Sequence, residues 1–172
     1  MDRATDRHRH ARRYAAIAVL ATAIVVTQAL ASWRDSHAVL INTSASLANW
    51  AFFVDRGRQP KRGEIAFFRA PQSEIVTRHF GRNAPPFGKV VFGVGGDEVT
   101  RRGSLVRING TAVVKLKRVT KLGERLQPGP VGIIPRGCYF MGTPHRDGLD
   151  SRYADIGFVC SDQIIGTGRA IL

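Results

Sequence analysis

Gly88-Lys89-Val90-Val91-Phe92-Gly93-Val94 is a run in which every residue but one is apolar or glycine, and its reading decides the fold. Val90, Val91, Phe92 and Val94 favour a pleated strand, and Pro85-Pro86 just upstream enforces an extended entry. Downstream, residues 105–108 and 111–114 flank Asn109-Gly110. Two residues that accept positive φ between β-rich runs predict a tight hairpin. Upstream, residues 38–41 and 64–69 read as strands, the second closed by Ala70-Pro71. Residues 73–80 predict a short helix that stops before Gly81. Further strands are predicted at 132–134, 138–141 and 163–166, and no ten-residue stretch after Ala31 carries a helical period. With 18 Gly and 8 Pro in 172 residues, the expectation is a loop-rich, mostly β domain, an antiparallel β-barrel, over residues 36–172.

The N-terminus has a different composition. Residues 1–13 hold five arginines against Asp2 and Asp6, and residues 15–31, AAIAVLATAIVVTQALA, carry no charge. Counted from Tyr14 the apolar run is 18 residues, the threshold for spanning ~30 Å of hydrocarbon. This predicts one N-terminal transmembrane helix at 14–31, a basic cytoplasmic segment at 1–13, and a body exposed on the far side of the membrane. Ala29-Leu30-Ala31 also has the form of a signal-peptide cleavage site, so a removed signal peptide is the alternative; either reading exports the body. A buried core helix is disfavoured by the one-sided arginine flank.

The net charge of +13 extends beyond that flank. The basic residues are scattered, and no RNP, helix-turn-helix or zinc pattern organises them, so a lipid bilayer is a better partner than nucleic acid. Cys138 and Cys160 are the two cysteines. A disulfide and two separate buried thiols remain equal alternatives, because sequence does not show whether their Cα atoms approach.

Three histidines follow the apolar run, His37, His79 and His145, and none sits in a nucleophile elbow. No spacing suggests a metal, and no cofactor is expected. Asp147 and Asp150, three apart, read as loop residues before they read as a catalytic carboxylate pair. That leaves serine with lysine. A lysine at position 89 is flanked by apolar residues on both sides. Desolvation there favours the neutral amine, which is able to take a proton from a serine hydroxyl. The competing reading is an ordinary strand lysine whose head snorkels to water.

Asn42-Thr43-Ser44-Ala45-Ser46-Leu47 follows the apolar segment, Lys89 to Asp97 reads KVVFGVGGD, and Asp147 to Tyr153 reads DGLDSRY. In this order these blocks, with the Asn109-Gly110 hairpin between the last two, resemble the N-x-S/T-x-S, K-R-V-x-G-x-P-G-D and D-S-R-Y boxes of the TraF-type conjugative transfer peptidases. Those form a branch of the signal peptidase I superfamily. The resemblance implies a signal-peptidase-like β domain and a membrane-anchored serine endopeptidase. Ser46 would be the nucleophile and Lys89 the general base. The Ser46 backbone N–H and the Ser44 hydroxyl would form the oxyanion hole, with Asp150 and Arg152 as structural support behind the lysine. The implied substrate is an exported precursor, foremost a conjugative pilin subunit, hydrolysed or cyclised on the periplasmic side of the bacterial inner membrane. A general signal peptidase and a degenerate β module are the alternatives. The substrate would lie along a strand edge beside Lys89, with Gly93, Gly95 and Gly96 leaving room for its backbone. The chain departs from the family boxes at Ala48, Trp50, Val90 and Gly95. It departs also at Gly148, where related enzymes have a small hydroxyl able to orient the lysine.

Overall fold

The computed structural model describes residues 3–44 and 46–171. Met1 and Asp2 of the basic segment, Ala45 of the first motif and Leu172 lie outside the described residues, as do the side chains of residues 3–9 and 11. The chain divides into two compact units, Met1–His37 and Ala38–Leu172.

The first unit is helix α1 (Arg3–Ser36). It overshoots the expected 14–31 at both ends, since neither flank contains a proline or glycine to stop it. Its Arg12–Ser36 portion, 25 residues, has the length and composition to cross a membrane. At ~1.5 Å per residue it reaches about 37 Å, more than the ~30 Å of hydrocarbon. The Thr22, Thr27 and Ser36 hydroxyls donate to the carbonyls of Ala18, Ile24 and Ser32. They are thereby satisfied without water.

The second unit is built from β1 (His37–Ile41), β2 (Ala51–Arg56), β3 (Ile65–Phe68), α2 (Glu74–Phe80), β4 (Phe87–Val94), β5 (Glu98–Arg102), β6 (Leu105–Ile108), β7 (Thr111–Lys115), β8 (Gly132–Ile133), β9 (Cys138–Gly142), β10 (Val159–Cys160) and β11 (Ile164–Ala170). One sheet runs β1-β2-β11-β3-β4-β9-β10 and the other β7-β6-β5-β8. The pairings of β2, β3, β4 and β9 with their neighbours are antiparallel, as expected. Asn109 and Gly110 make the predicted turn with φ of 49° and 79°. Helix α2 starts where Ser73 Oγ accepts the Val76 N–H and ends at Gly81.

β2, β5 and β10 were not legible as strands. In β2, Phe52 and Val54 belong to a small core of their own with Phe67. β5 buries only Val99, and β10 has two residues.

β9 holds the domain together. All five of its residues are buried. Tyr139 and Met141 enter one core with Phe68 and Val91, while Cys138 and Phe140 enter another with Ile108 and Ile134. A strand covered on both faces reads as a continuous apolar run. Cys138 and Cys160 face each other across the β9–β10 pairing and form a disulfide, which resolves the two alternatives.

β4 alternates strictly. Phe87, Lys89, Val91 and Gly93 are buried and their neighbours half-buried, so Lys89 occupies an inward position. β3 pairs with residues 87–90 on one edge, and β9 pairs on the other edge only from Val90 onward. The outer edge of residues 87–89 therefore has no β9 partner. The room expected at Gly93 and Gly95 is not open to a substrate. A Cβ at Gly93 would lie 2.6 Å from Ile134 Cδ1, and one at Gly95 2.9 Å from the Pro135 carbonyl oxygen. These glycines admit the chain's own 134–137 segment instead.

Asp97, at the end of the second motif, ties the two sheets. Its carboxylate accepts from Arg62 Nη2 at 2.6 and 2.5 Å, from the Val94 N–H at 2.7 Å and from Asn109 Nδ2 at 2.9 Å. Burial opposes its charge, but these donors hold the carboxyl below its usual range.

Candidate active site

Residues 42–50, between β1 and β2, form a loop organised by Asn42. Its N–H donates to the Trp50 carbonyl at 2.7 Å. Its Nδ2 donates to the carbonyls of Leu47 (2.9 Å) and Asn49 (2.8 Å). Its Oδ1 accepts from Ser44 N (3.0 Å) and Ser44 Oγ (3.2 Å). Every polar group of one buried-side amide is thus spent on closing the loop. Sequence reasoning quoted Asn42 as the first residue of its motif and gave it no role.

Ser46 sits in this loop, half-buried, with its Oγ 2.8 Å from Ser44 Oγ. The loop docks on β4 through Gly88: a Cβ there would lie 3.1 Å from Leu47 Cδ1 and 2.7 Å from Phe67 Cε1. Glycine at 88 leaves room for Leu47 and Phe67 one residue away from Lys89.

Ser46 and Lys89 line the same cleft, of ≈ 630 Å³. Lys89 is 6% exposed, and among the described residues its amine makes no hydrogen bond. Desolvation lowers its pKa from 10.5 to about 8; Asp150 opposes that fall and Arg152 adds to it. The snorkelling alternative does not match this burial. No hydrogen bond joins the Ser46 hydroxyl and the Lys89 amine; Ser46 Oγ lies 2.8 Å from Ser44 Oγ.

Asp150 and Arg152, 0% and 2% exposed, form a bidentate pair with Nε–Oδ1 at 2.7 Å and Nη2–Oδ2 at 2.8 Å. Burial raises the Asp150 carboxyl and the guanidinium opposes it. Arg152 also donates to the carbonyls of Lys115 (3.0 Å) and Thr143 (2.5 Å). The rest of this motif is equally occupied. Ser151 exchanges hydrogen bonds with the backbone of Met141, and the Tyr153 hydroxyl accepts the Lys117 N–H at 2.9 Å. The block is a staple between β9 and the loop after β7, and both charges of the pair act on Lys89.

The remaining candidates are engaged elsewhere. His79 Nε2 bonds Glu124 Oε2, and His145 Nδ1 accepts the Asp147 N–H at 3.2 Å. Neither bonds a serine, although both line the cleft. Asp147 pairs with Lys117 at 2.5 Å and Lys121 at 3.4 Å, apart from Asp150, so the two carboxylates make no pair. Among the described residues no group of His, Cys, Asp and Glu could hold a metal ion.

Gly148 has a steric cause. A Cβ there would lie 2.2 Å from Thr143 Cγ2 and 3.0 Å from Asp150 Oδ2. Thr143 was missed by sequence reasoning: its hydroxyl reaches the Ser46 carbonyl, 97 positions away in the chain, at 2.5 Å. No local pattern signals a contact of that separation.

Half-buried Ser46 and buried Lys89 thus line one cleft of an antiparallel β domain. The family model for signal peptidase, peptidase S26, matches residues 11–172, and the chain belongs to that family. It is a serine endopeptidase of signal-peptidase type, which acts on exported precursor proteins. Among solved structures, a signal peptidase I from Enterococcus faecalis is similar at 24% identity over 64% of this chain and 97% of that one, with a TM-score of 0.39. No curated protein matches significantly.

Proposed function

We propose that Ser46 and Lys89 form the catalytic dyad of a specialised, membrane-anchored peptidase that matures a conjugative pilin-like precursor on the periplasmic side of the inner membrane. The observation that carries this reading is the amine: Lys89 is buried, its pKa is lowered to about 8, and it shares a cleft with Ser46. About a tenth of the amine is then neutral at pH 7.

Neutral Lys89 accepts the Ser46 proton as Oγ attacks the carbonyl carbon after a small residue. The negative charge on the carbonyl oxygen is met by the Ser46 N–H and by the Ser44 hydroxyl, once the latter turns from Ser46 Oγ. Protonated Lys89 gives its proton to the leaving amine, and an acyl-enzyme remains. Water, or the substrate's own N-terminus, then releases it; the second route gives a cyclic subunit. The substrate strand adds to the edge of residues 87–89 that β9 leaves unpaired, by β-augmentation.

The apolar Arg12–Ser36 helix supports anchoring, and the Cys138–Cys160 disulfide favours an oxidising compartment. The TraF-type specificity rests on the resemblance of the three motifs. The test is complementation. Ser46→Ala and Lys89→Ala should each abolish pilin processing in a conjugating host while the chain accumulates normally. Processing that continues with either variant ends the dyad reading. Broad cleavage of unrelated exported precursors would favour a general signal peptidase.

A further inference from the structure

Thr143 is fully buried, and its hydroxyl has two partners. It donates to the Ser46 carbonyl oxygen at 2.5 Å, since a carbonyl only accepts, and it accepts the His145 N–H at 3.2 Å. Its backbone is gripped as well. The Thr143 N–H donates to Asp150 Oδ2 at 3.1 Å, and its carbonyl accepts Arg152 Nη2 at 2.5 Å. Its methyl fills the space that a side chain at Gly148 would need. One residue, through its hydroxyl and its backbone, therefore links the loop that carries Ser46 to the ion pair whose charges act on Lys89. The proton transfers described above make no use of it.

We propose that Thr143 is a positioning residue for the peptidase reaction, its hydroxyl setting the placement of Ser46 relative to Lys89 by holding the Ser46 carbonyl. The inference rests on the Ser46–Lys89 reading. Fixing that carbonyl fixes the plane of the peptide unit after Ser46 and limits rotation about the adjoining bond. Among the described residues Asn42 hydrogen-bonds only within its own loop. Thr143 supplies the reach beyond it. A displacement of reacting groups by about 1 Å costs on the order of 10²-fold in rate.

The experiment uses the full chain in detergent micelles with a fluorogenic peptide spanning an Ala-x-Ala cleavage site. Thr143→Val keeps the shape and removes the hydroxyl, while Thr143→Ser keeps the hydroxyl. The expected result is a loss of about 10²-fold in kcat for Thr143→Val, with KM changed less than about threefold and the pH at which the rate rises unmoved. Thr143→Ser should stay within about threefold of wild type. The proposal is overturned if Thr143→Val cleaves like wild type, or if Thr143→Ser is as slow as Thr143→Val. Should Thr143→Val not fold, Thr143→Ser is compared with Thr143→Ala; a serine variant less than about tenfold faster than the alanine one overturns it. Ser46→Ala is the control. If it matches wild type, the dyad reading fails and this inference with it; if it is dead while Thr143→Val is fully active, this inference alone fails.

Discussion

Lys89→Met removes a charge from a site that penalises it. An exposed lysine keeps its proton up to 10.5, whereas Lys89 releases it near 8. At about 1.36 kcal/mol for each tenfold fall in proton affinity, the folded protein carries protonated Lys89 at a cost of roughly 3 kcal/mol at pH 7. That figure is net, with desolvation dominant, Asp150 returning part of the cost and Arg152 adding to it. Methionine is unbranched, similar in length and uncharged, so the variant should be more stable than wild type by up to ~3 kcal/mol, or about 10 °C in midpoint. The sign follows from counting protons. Between about 8 and 10.5 the unfolded chain still binds a proton that the folded chain has released, so wild-type stability climbs with pH across that window. Methionine has nothing to titrate. The advantage of the variant is therefore full below pH 8, shrinks above it and closes past 10.5. Urea unfolding of the full chain in detergent at pH 7 and at pH 10.5, with the disulfide intact, reads both numbers. A variant less stable than wild type at pH 7, or an advantage that does not shrink, would refute the picture of a desolvated amine. The same variant should be inactive, so stability and activity part company at this residue.

The lowered pKa also sets a rate profile. Cleavage, measured as kcat/KM for a peptide substrate, should rise about tenfold per pH unit below the Lys89 value of about 8 and level off above it. Ser44→Ala should lower kcat by ~10²–10³-fold, the cost of one oxyanion donor. Its effect on thermal stability should be slight, because Ser44 is exposed.

Strand β4, the Asn109-Gly110 turn and helix α2 were legible because each is signalled by neighbours in sequence: glycine, proline and asparagine at the required offsets. β5 was not, since its Val99 is flanked by Glu98, Thr100, Arg101 and Arg102, and its place is decided by partners in β6 and β8. The site divides in the same way. Lys89 stands out locally as a charge among apolar residues, and Ser46 stands out through its motif. The bonds that organise them are long-range: Thr143 to Ser46, Leu47 over Gly88, and Arg152 to Lys115. Gly93 and Gly95 show the limit of local reading. A small residue announces a close approach, but the approaching partner proved to be Ile134 and Pro135.

The order of strands has a consequence for the chain as it is being made. β2 begins at Ala51, just after the loop bearing Ser46, and its inner neighbour in the sheet is β11, the last of the strands among the described residues. A ribosome partway through this message has already made the hydroxyl, the amine and the strand between them. Until residues 164–170 follow, β2 has nothing to bind along that side. Strand β2, and with it the downstream end of the Ser46 loop, therefore gains its neighbour on that side only once residues 164–170 have been made.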